Sequence, residues 1–168
     1  MNVLETPRLV LRRLVEDDAP FIFQLVNDAS WLRFIGDKDV KSVEAARGYI
    51  ARGPIALYER LGFGLYLVAL KSSGEAVGIC GLIKRATLED VDIGYAFLPR
   101  YRRQGYAREA AAATLDYGRR VLGMRRIVAI TSPDNDRSTR LLDALGLRFE
   151  RAIRLPGEDR DVNLFATP

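Results

Sequence analysis

Apolar and polar residues alternate over residues 8–14 (R-L-V-L-R-R-L), which predicts an opening strand directly after Thr6-Pro7. The period then lengthens. Glu16-Asp17-Asp18 supplies the acidic, cap-forming start of a helix over residues 19–27, with Phe21 and Leu25 on its buried side. Trp31, Leu32, Phe34 and Ile35 follow, and Ser42-Val43-Glu44-Ala45 starts a second helix that runs to about Arg60. A kink or break is expected at Gly53-Pro54, because a proline inside a helix has no N–H to donate, and Gly62 fits the C-terminal cap. Residues 64–71 and 76–85 read as a hairpin around Ser72-Ser73-Gly74-Glu75. A polar connection, residues 87–90, then leads into an apolar strand over residues 91–98 that Pro99 stops.

The clearest helical period covers residues 105–123. Ala107, Ala110, Ala111, Thr114, Leu115, Gly118, Val121 and Leu122 fall on one face, opposite Arg108, Glu109, Asp116, Arg119 and Arg120. Residues 126–131 form the next strand, parallel to 91–98 because a helix connects them. A short helix capped by Asp134 or Asn135 turns Leu141, Leu142 and Leu145 inward before Gly146, and strands 148–155 and 161–166 close the chain around Pro156-Gly157-Glu158. Three strands followed by a strand-helix-strand unit predict an α/β (α+β) chain on a mixed, mostly antiparallel sheet of six or seven strands with helices on both faces.

Composition narrows the chemistry. Residues 1–168 are most economically one domain. No apolar run approaches a membrane span and the amino terminus lacks a signal peptide's apolar region, so a cytoplasmic protein without membrane partners is expected. Cys80 has no second cysteine to pair with and reads as a buried thiol. The chain has no histidine, which excludes a histidine base, a Ser-His-Asp triad and the usual zinc sets; no metal is expected. The net charge of +4 is spread along the chain, so nucleic acid is not an expected partner.

Between the strand 91–98 and the long helix stands P-R-Y-R-R-Q-G-Y-A, residues 99–107. A strand ending at a helix start presents unpaired N–H groups and the positive end of the helix dipole, to which Arg102 and Arg103 add charge. This is an anion cradle, and it lacks both the Gly-Lys-Ser/Thr of a P-loop and G-x-G-x-x-G.

Arg102-x-x-Gly105-x-Ala107 in this setting resembles the acetyl-CoA signature of the GNAT-type N-acetyltransferases, and the flanking I-G-Y-A-F-L-P and G-Y-A-R-E-A look like the RimJ/RimL-like branch of ribosomal-protein alanine acetyltransferases. Asn135-x-x-Ser138, then Leu142 and Gly146, resembles the family's second motif. The resemblance implies a GNAT fold whose fourth and fifth strands are parallel and splay apart. Acetyl-CoA would lie in that slot as co-substrate, with its pantetheine arm on the Phe97 and Leu98 backbone. Its pyrophosphate would rest on Arg102, Arg103, Gln104, Gly105, Tyr106 and Ala107, and Asn135 and Ser138 would contact the arm from the other side. Arg103 reads equally well as a solvated charge, and Asn135 as a plain helix cap.

The implied reaction is direct acetyl transfer in a ternary complex to a primary amine, on a small molecule or a protein N-terminus, by a monomer or homodimer. Asp92, a carboxylate in an apolar strand, is the candidate base, against a structural carboxylate paired with arginine. Glu89 and Asp90 are expected to make the mouth acidic, suiting a cationic amine. A strand N–H near Ala96 or Phe97 is the candidate oxyanion donor. Leu142 stands where many relatives have the tyrosine that protonates the leaving thiolate, which leaves Ser138, through water, as a substitute or as an ordinary first-turn serine. The vacancy also keeps open a non-catalytic acyl-CoA-binding regulatory module.

Overall fold

The computed structural model describes residues 2–168. Its sheet is built from β1 (Asn2–Glu5), β2 (Leu9–Arg13), β3 (Leu65–Leu70), β4 (Ala76–Ile83), β5 (Asp92–Phe97), β6 (Val128–Thr131), β7 (Arg148–Ile153) and β8 (Val162–Ala166). The spatial order is β1-β2-β3-β4-β5-β6-β8-β7, antiparallel throughout except for the parallel pair β5–β6. Eight strands stand where six or seven were expected. The addition is β1, a four-residue edge strand whose two apolar residues are too short a run to show alternation. The splayed pair, fourth and fifth in the sequence count, is therefore β5 and β6.

The helices are α1 (Ala19–Val26), α2 (Ala29–Phe34), α3 (Val43–Ile50), α4 (Ala56–Leu61), α5 (Tyr106–Arg120) and α6 (Asp136–Ala144). Between α3 and α4, where a kink or break was expected, the chain takes a π turn, Ala51–Ile55, which carries Pro54. Widening one turn accommodates the missing N–H without stopping the helix. Gly62 then ends α4 in the left-handed conformation, at φ 82°.

Two cores lie on opposite faces of the sheet. On one, α5 and α6 bring Ala110, Ala111, Leu115 and Leu142 against Tyr66, Val68, Cys80, Ile93 and Phe97. On the other, α1, α2 and α3 bring Ile22, Leu25, Trp31, Ala46 and Ile50 against Leu67, Ala69 and Ile79. Val121, the cap residue past Arg120, is 66% exposed and not inward as expected, because the helical period ends there, while Leu122 packs on this core. The small residues of α5 let it sit close: a Cβ on Gly118 would come within 2.9 Å of Ile127 and 3.0 Å of Leu82. Such overpacking costs about 1–3 kcal/mol, so this contact fixes how near the helix start lies to the end of β5.

The parallel strands meet at one place. Asp92 is in register with Val128, whose N–H bonds the Val91 carbonyl at 2.9 Å, and beyond that point the strands part. Each stays paired to its outer neighbour, β5 to β4 over six residues and β6 to β8 over four. The inner edge of β5 is left without a strand partner along most of its length.

Candidate active site

The slot opens into a cavity of about 970 Å³ lined from both faces of the sheet, with Asp92, Tyr95, Phe97, Ala107, Asn135 and Ser138 in its walls. Strand parity decides which backbone groups face it. The Leu98 N–H bonds Val77 O at 3.0 Å, so Ala96, Gly94 and Asp92 share that direction toward β4, while Phe97, Tyr95 and Ile93 turn their amides and carbonyls to the slot. Of the two candidate oxyanion donors, the Phe97 amide faces the slot and the Ala96 amide is committed to β4. Leu98 is occupied on both sides, because its carbonyl accepts from Tyr101 N at 3.0 Å.

At the carboxyl end of β5, Arg102 donates to Phe97 O at 3.0 Å, to Ser30 at 3.1 Å and to Asp28 at 3.3 Å. These bonds make it a strut between the β5 end and α2. Arg103 and Gly105 both take left-handed backbone, at φ 62° and φ 83°, and Gly105 is the N-cap of α5. Two such residues around Gln104 curl the chain into a concavity toward which the first amides of α5 point. Arg8, which sequence reasoning passed over, holds that curl in place. It donates to Gln104 O at 2.9 Å, pairs with Glu109 at 2.8 Å and stacks 4.5 Å from the Tyr106 ring centroid. Arg103, Gln104 and Gly105 are exposed at the rim, whereas Arg102 and Ala107 line the cavity. A diphosphate fits here: the amides are unpaired, the charge is positive, and a Cβ on Gly105 would meet Arg8 at 3.1 Å.

At the amino end of β5, Asp92 is buried to 1% exposure with Oδ1 at 3.1 Å from Arg85 Nε. Burial raises its carboxyl above the usual range and Arg85 opposes the rise. The arginine partner weighed as the structural alternative is thus present, and Asp92 still lines the cavity. Glu89 and Asp90 do not form an acidic mouth. Neither lines the cavity, and Asp90 is taken by Arg126 at 3.0 Å.

Leu142 is turned inward, as expected, and offers no hydroxyl. It is a core side chain at 1% exposure, and the nearby hydroxyl comes from β5: Tyr95 Oη lies 2.8 Å from Ser138 Oγ. Burial pushes the Tyr95 hydroxyl up to about 12, and the Ser138 hydrogen bond works against that rise. Asn135 caps α6 by accepting from the Ser138 N–H at 3.2 Å. Nothing local in the sequence joins Tyr95 to Ser138, since only the crossing of α6 over the end of β5 does so. Asp92 and Tyr95 have opposite parity, so the carboxylate faces the α1–α3 side and the phenol the α5–α6 side of one slot. Among the described residues no cluster of His, Cys, Asp or Glu is arranged for a metal, and no helix is long and apolar enough to cross a membrane.

Residues 8–148 match the family model described as Acetyltransferase (GNAT) domain. An uncharacterized N-acetyltransferase of Bacillus subtilis (strain 168), YoaA, is 31% identical over 153 residues, covering 90% of this chain and 86% of its own. The acetyltransferase from Agrobacterium tumefaciens superposes with a TM-score of 0.84 at 21% identity, covering 100% of this chain and 95% of its own. RimL, a ribosomal L7/L12 alpha-N-protein acetyltransferase solved in complex with coenzyme A, does so at 0.81 with 24% identity, covering 99% and 97%. The chain belongs to the GNAT acetyltransferases. It is an acetyl-CoA-dependent N-acetyltransferase, and acetyl-CoA is its co-substrate.

Proposed function

We propose that the protein acetylates a primary amine of low pKa, an N-terminal α-amine of a protein or a comparable small amine, by direct attack with both substrates bound. The observation that carries this is the two-sided slot: Asp92 on one face, Tyr95 with Ser138 on the other, and the Phe97 amide between them. RimL, an alpha-N-protein acetyltransferase of the same fold, points the same way.

Bound acetyl-CoA supplies a thioester carbonyl and a thiolate leaving group. The amides of Gly105 to Ala107 hold its diphosphate, with Arg103 at the rim and Arg102 bracing the turn. The Phe97 N–H donates to the carbonyl oxygen as negative charge gathers there. Asp92, steadied by Arg85, lies about 17 Å along β5 from Phe97, so the proton that the amine sheds as the C–N bond forms and the C–S bond breaks reaches its carboxylate through bridging water. Ser138 donates to Tyr95 Oη, which leaves the phenolic proton free to hydrogen-bond the departing sulfur. Asn135 keeps Ser138 in place through the α6 cap.

Amine pKa sets the preference. At pH 7 an α-amine of pKa ~8 is about one-tenth neutral, and a lysine of pKa ~10.4 less than about one-thousandth. Cys80 offers no acetyl-enzyme route, because it is fully buried, bonded to Thr114, and pushed up to about 12 by burial. The non-catalytic reading rested on the absent tyrosine, and Tyr95 supplies a hydroxyl to that role. Initial rates of thiol release with both substrates varied test the proposal. Intersecting lines, with α-amine peptides faster than lysine peptides, are expected. Parallel lines with an isolable acetylated protein would sink direct transfer, and faster lysine peptides would sink the acceptor assignment.

A further inference from the structure

We infer that the acceptor carries carboxylate groups near its amine, selected by a basic wall of Lys38, Arg52, Arg60 and Lys84. The inference rests on the acetyltransfer reading above and adds the chemical class of the substrate. All four residues line the cavity, and they come from four segments: the α2–α3 connection, the π turn, α4 and the end of β4. Among the described residues none of them has a carboxylate in ion-pair contact. The 15 ion pairs among the described residues use other cations, and Lys84 bonds the carbonyls of Arg85 and Leu88. The negative groups facing them are mostly committed. Asp92 pairs with Arg85, Asp161 with Arg154, Asp28 with Arg102 and Asp134 with Arg33, which leaves Asp136 and Glu158, the latter near Lys38.

The cofactor's phosphates do not account for this wall. Their cradle is at the carboxyl end of β5, whereas Ile83, next to Lys84, is in register with Asp92 at the amino end, about 17 Å away along the strand. α4 runs into β3, whose first residue Leu65 pairs with Gly81, itself opposite Gly94 in the amino half of β5. Burial first and the nearby Arg85 second push Lys38 below the usual lysine range, with Glu158 opposing them. A second observation concerns a neutral donor. The indole N–H of Trp31, in the same cavity wall, is the one buried side-chain polar atom without a partner among the described residues. A carbonyl- or carboxylate-rich ligand satisfies both the cations and this donor.

The arrangement also bears on reactivity. A basic cleft disfavours an ammonium and favours the neutral amine, so a carboxylate-tethered acceptor docks by its anionic part and presents its amine ready to attack. A polyamine or lysine-rich peptide meets repulsion instead.

The test uses the full chain with saturating acetyl-CoA and peptides that share a free N-terminus but carry Asp/Glu, Asn/Gln or Lys/Arg at the next three positions. An amino dicarboxylate, an uncharged amine and a polyamine form the small-molecule arm, which distinguishes a free metabolite from a peptide as the carboxylate source. The acidic acceptor is expected to exceed the neutral one in kcat/KM by about tenfold at low salt, with the difference shrinking as salt rises. The double variant Arg52→Glu, Arg60→Glu is expected to erase that preference while acetyl-CoA affinity stays put. A basic or polyamine acceptor reacting best, or an acidic preference untouched by salt and by the double variant, overturns the inference. Should acetyl-CoA bind and no amine release thiol, acetyl transfer as such has failed. The N-acetylated peptides then decide the charge question by titration: salt-sensitive binding of the acidic peptide upholds it and equal binding of all three refutes it.

Discussion

Replacing Tyr95 with phenylalanine removes one oxygen from a ring otherwise packed in the α5–α6 core. The cost in stability is small, about 1 kcal/mol for the lost 2.8 Å bond to Ser138, because Ser138 is half-buried at the cavity wall and regains water. The cost in rate follows from the acidity of the phenol. Held at about 12, Tyr95 keeps its proton at every working pH, so it acts as a donor and not as a base. Against a thiol of pKa ~8.5 the gap is about 3.5 units, roughly 5 kcal/mol, which forbids complete transfer of the proton to sulfur. What remains is a hydrogen bond to developing negative charge, worth about 1.5–3 kcal/mol, or about 10- to 150-fold in kcat. Single-turnover thiol release and a separate acetyl-CoA titration should show kcat falling within that range with cofactor affinity nearly unchanged. Ser138→Ala should lose less, and the double variant little more than Tyr95→Phe alone, because the serine acts through the phenol. A Tyr95→Phe enzyme within about twofold of the parent, or fully additive losses, would refute the assignment.

Gly105→Ala forces an L side chain into φ 83° at about 1–2 kcal/mol and presses on Arg8, so calorimetric titration should show acetyl-CoA affinity down about tenfold, with Gly105→Glu abolishing binding. Asp92→Asn should cut kcat about 100-fold and flatten the rise of kcat/KM with pH. Its stability should move the other way. A carboxyl raised by burial favours the protonated folded state, so the ionised form costs stability once pH exceeds the folded-state value; melting at neutral pH should be no lower in the Asn variant, with any advantage vanishing in acid. Arg102→Ala leaves Asp28 unpaired and frees the Phe97 carbonyl, so a loss of about 1–3 kcal/mol in denaturant unfolding and a weaker acetyl-CoA complex are expected. Unchanged unfolding and binding would mean that the strut is dispensable.

The strand ending at Pro99, the glycine at the start of α5 and the small-residue face of that helix were all legible, because each is a local constraint written in adjacent residues. The pair of parallel strands was legible from the helix joining them. β1 was not, since a four-residue edge strand owes its existence to β2 rather than to its own alternation. The Gly53-Pro54 site showed that a helix would be disturbed there but not how; a π turn and a break cost the same missing hydrogen bond, and packing on both sides of the turn chose between them. At the site, Asp92 stood out as a carboxylate in an apolar strand, and Gly105, Asn135 and Ser138 were candidates through the resemblance to the GNAT motifs, whereas Arg8 and Tyr95 could not be named, because their partners Gln104, Glu109 and Ser138 lie 43 or more residues away in the chain.

Sequence alone therefore determined the fold class, the strand-turn-helix at residues 99–107 and the absence of histidine chemistry, all properties of composition or of short-range geometry. Tertiary structure decided which face each group serves. One hydrogen bond from Leu98 to Val77 sets the parity of β5, handing the Phe97 amide to the slot and withdrawing that of Ala96. The same folding brought Asp90 to Arg126 and gathered Lys38, Arg52, Arg60 and Lys84 around the cavity, turning an expected acidic mouth into a basic one. Charge at a site is a sum over segments distant in sequence, and only their assembly fixes its sign.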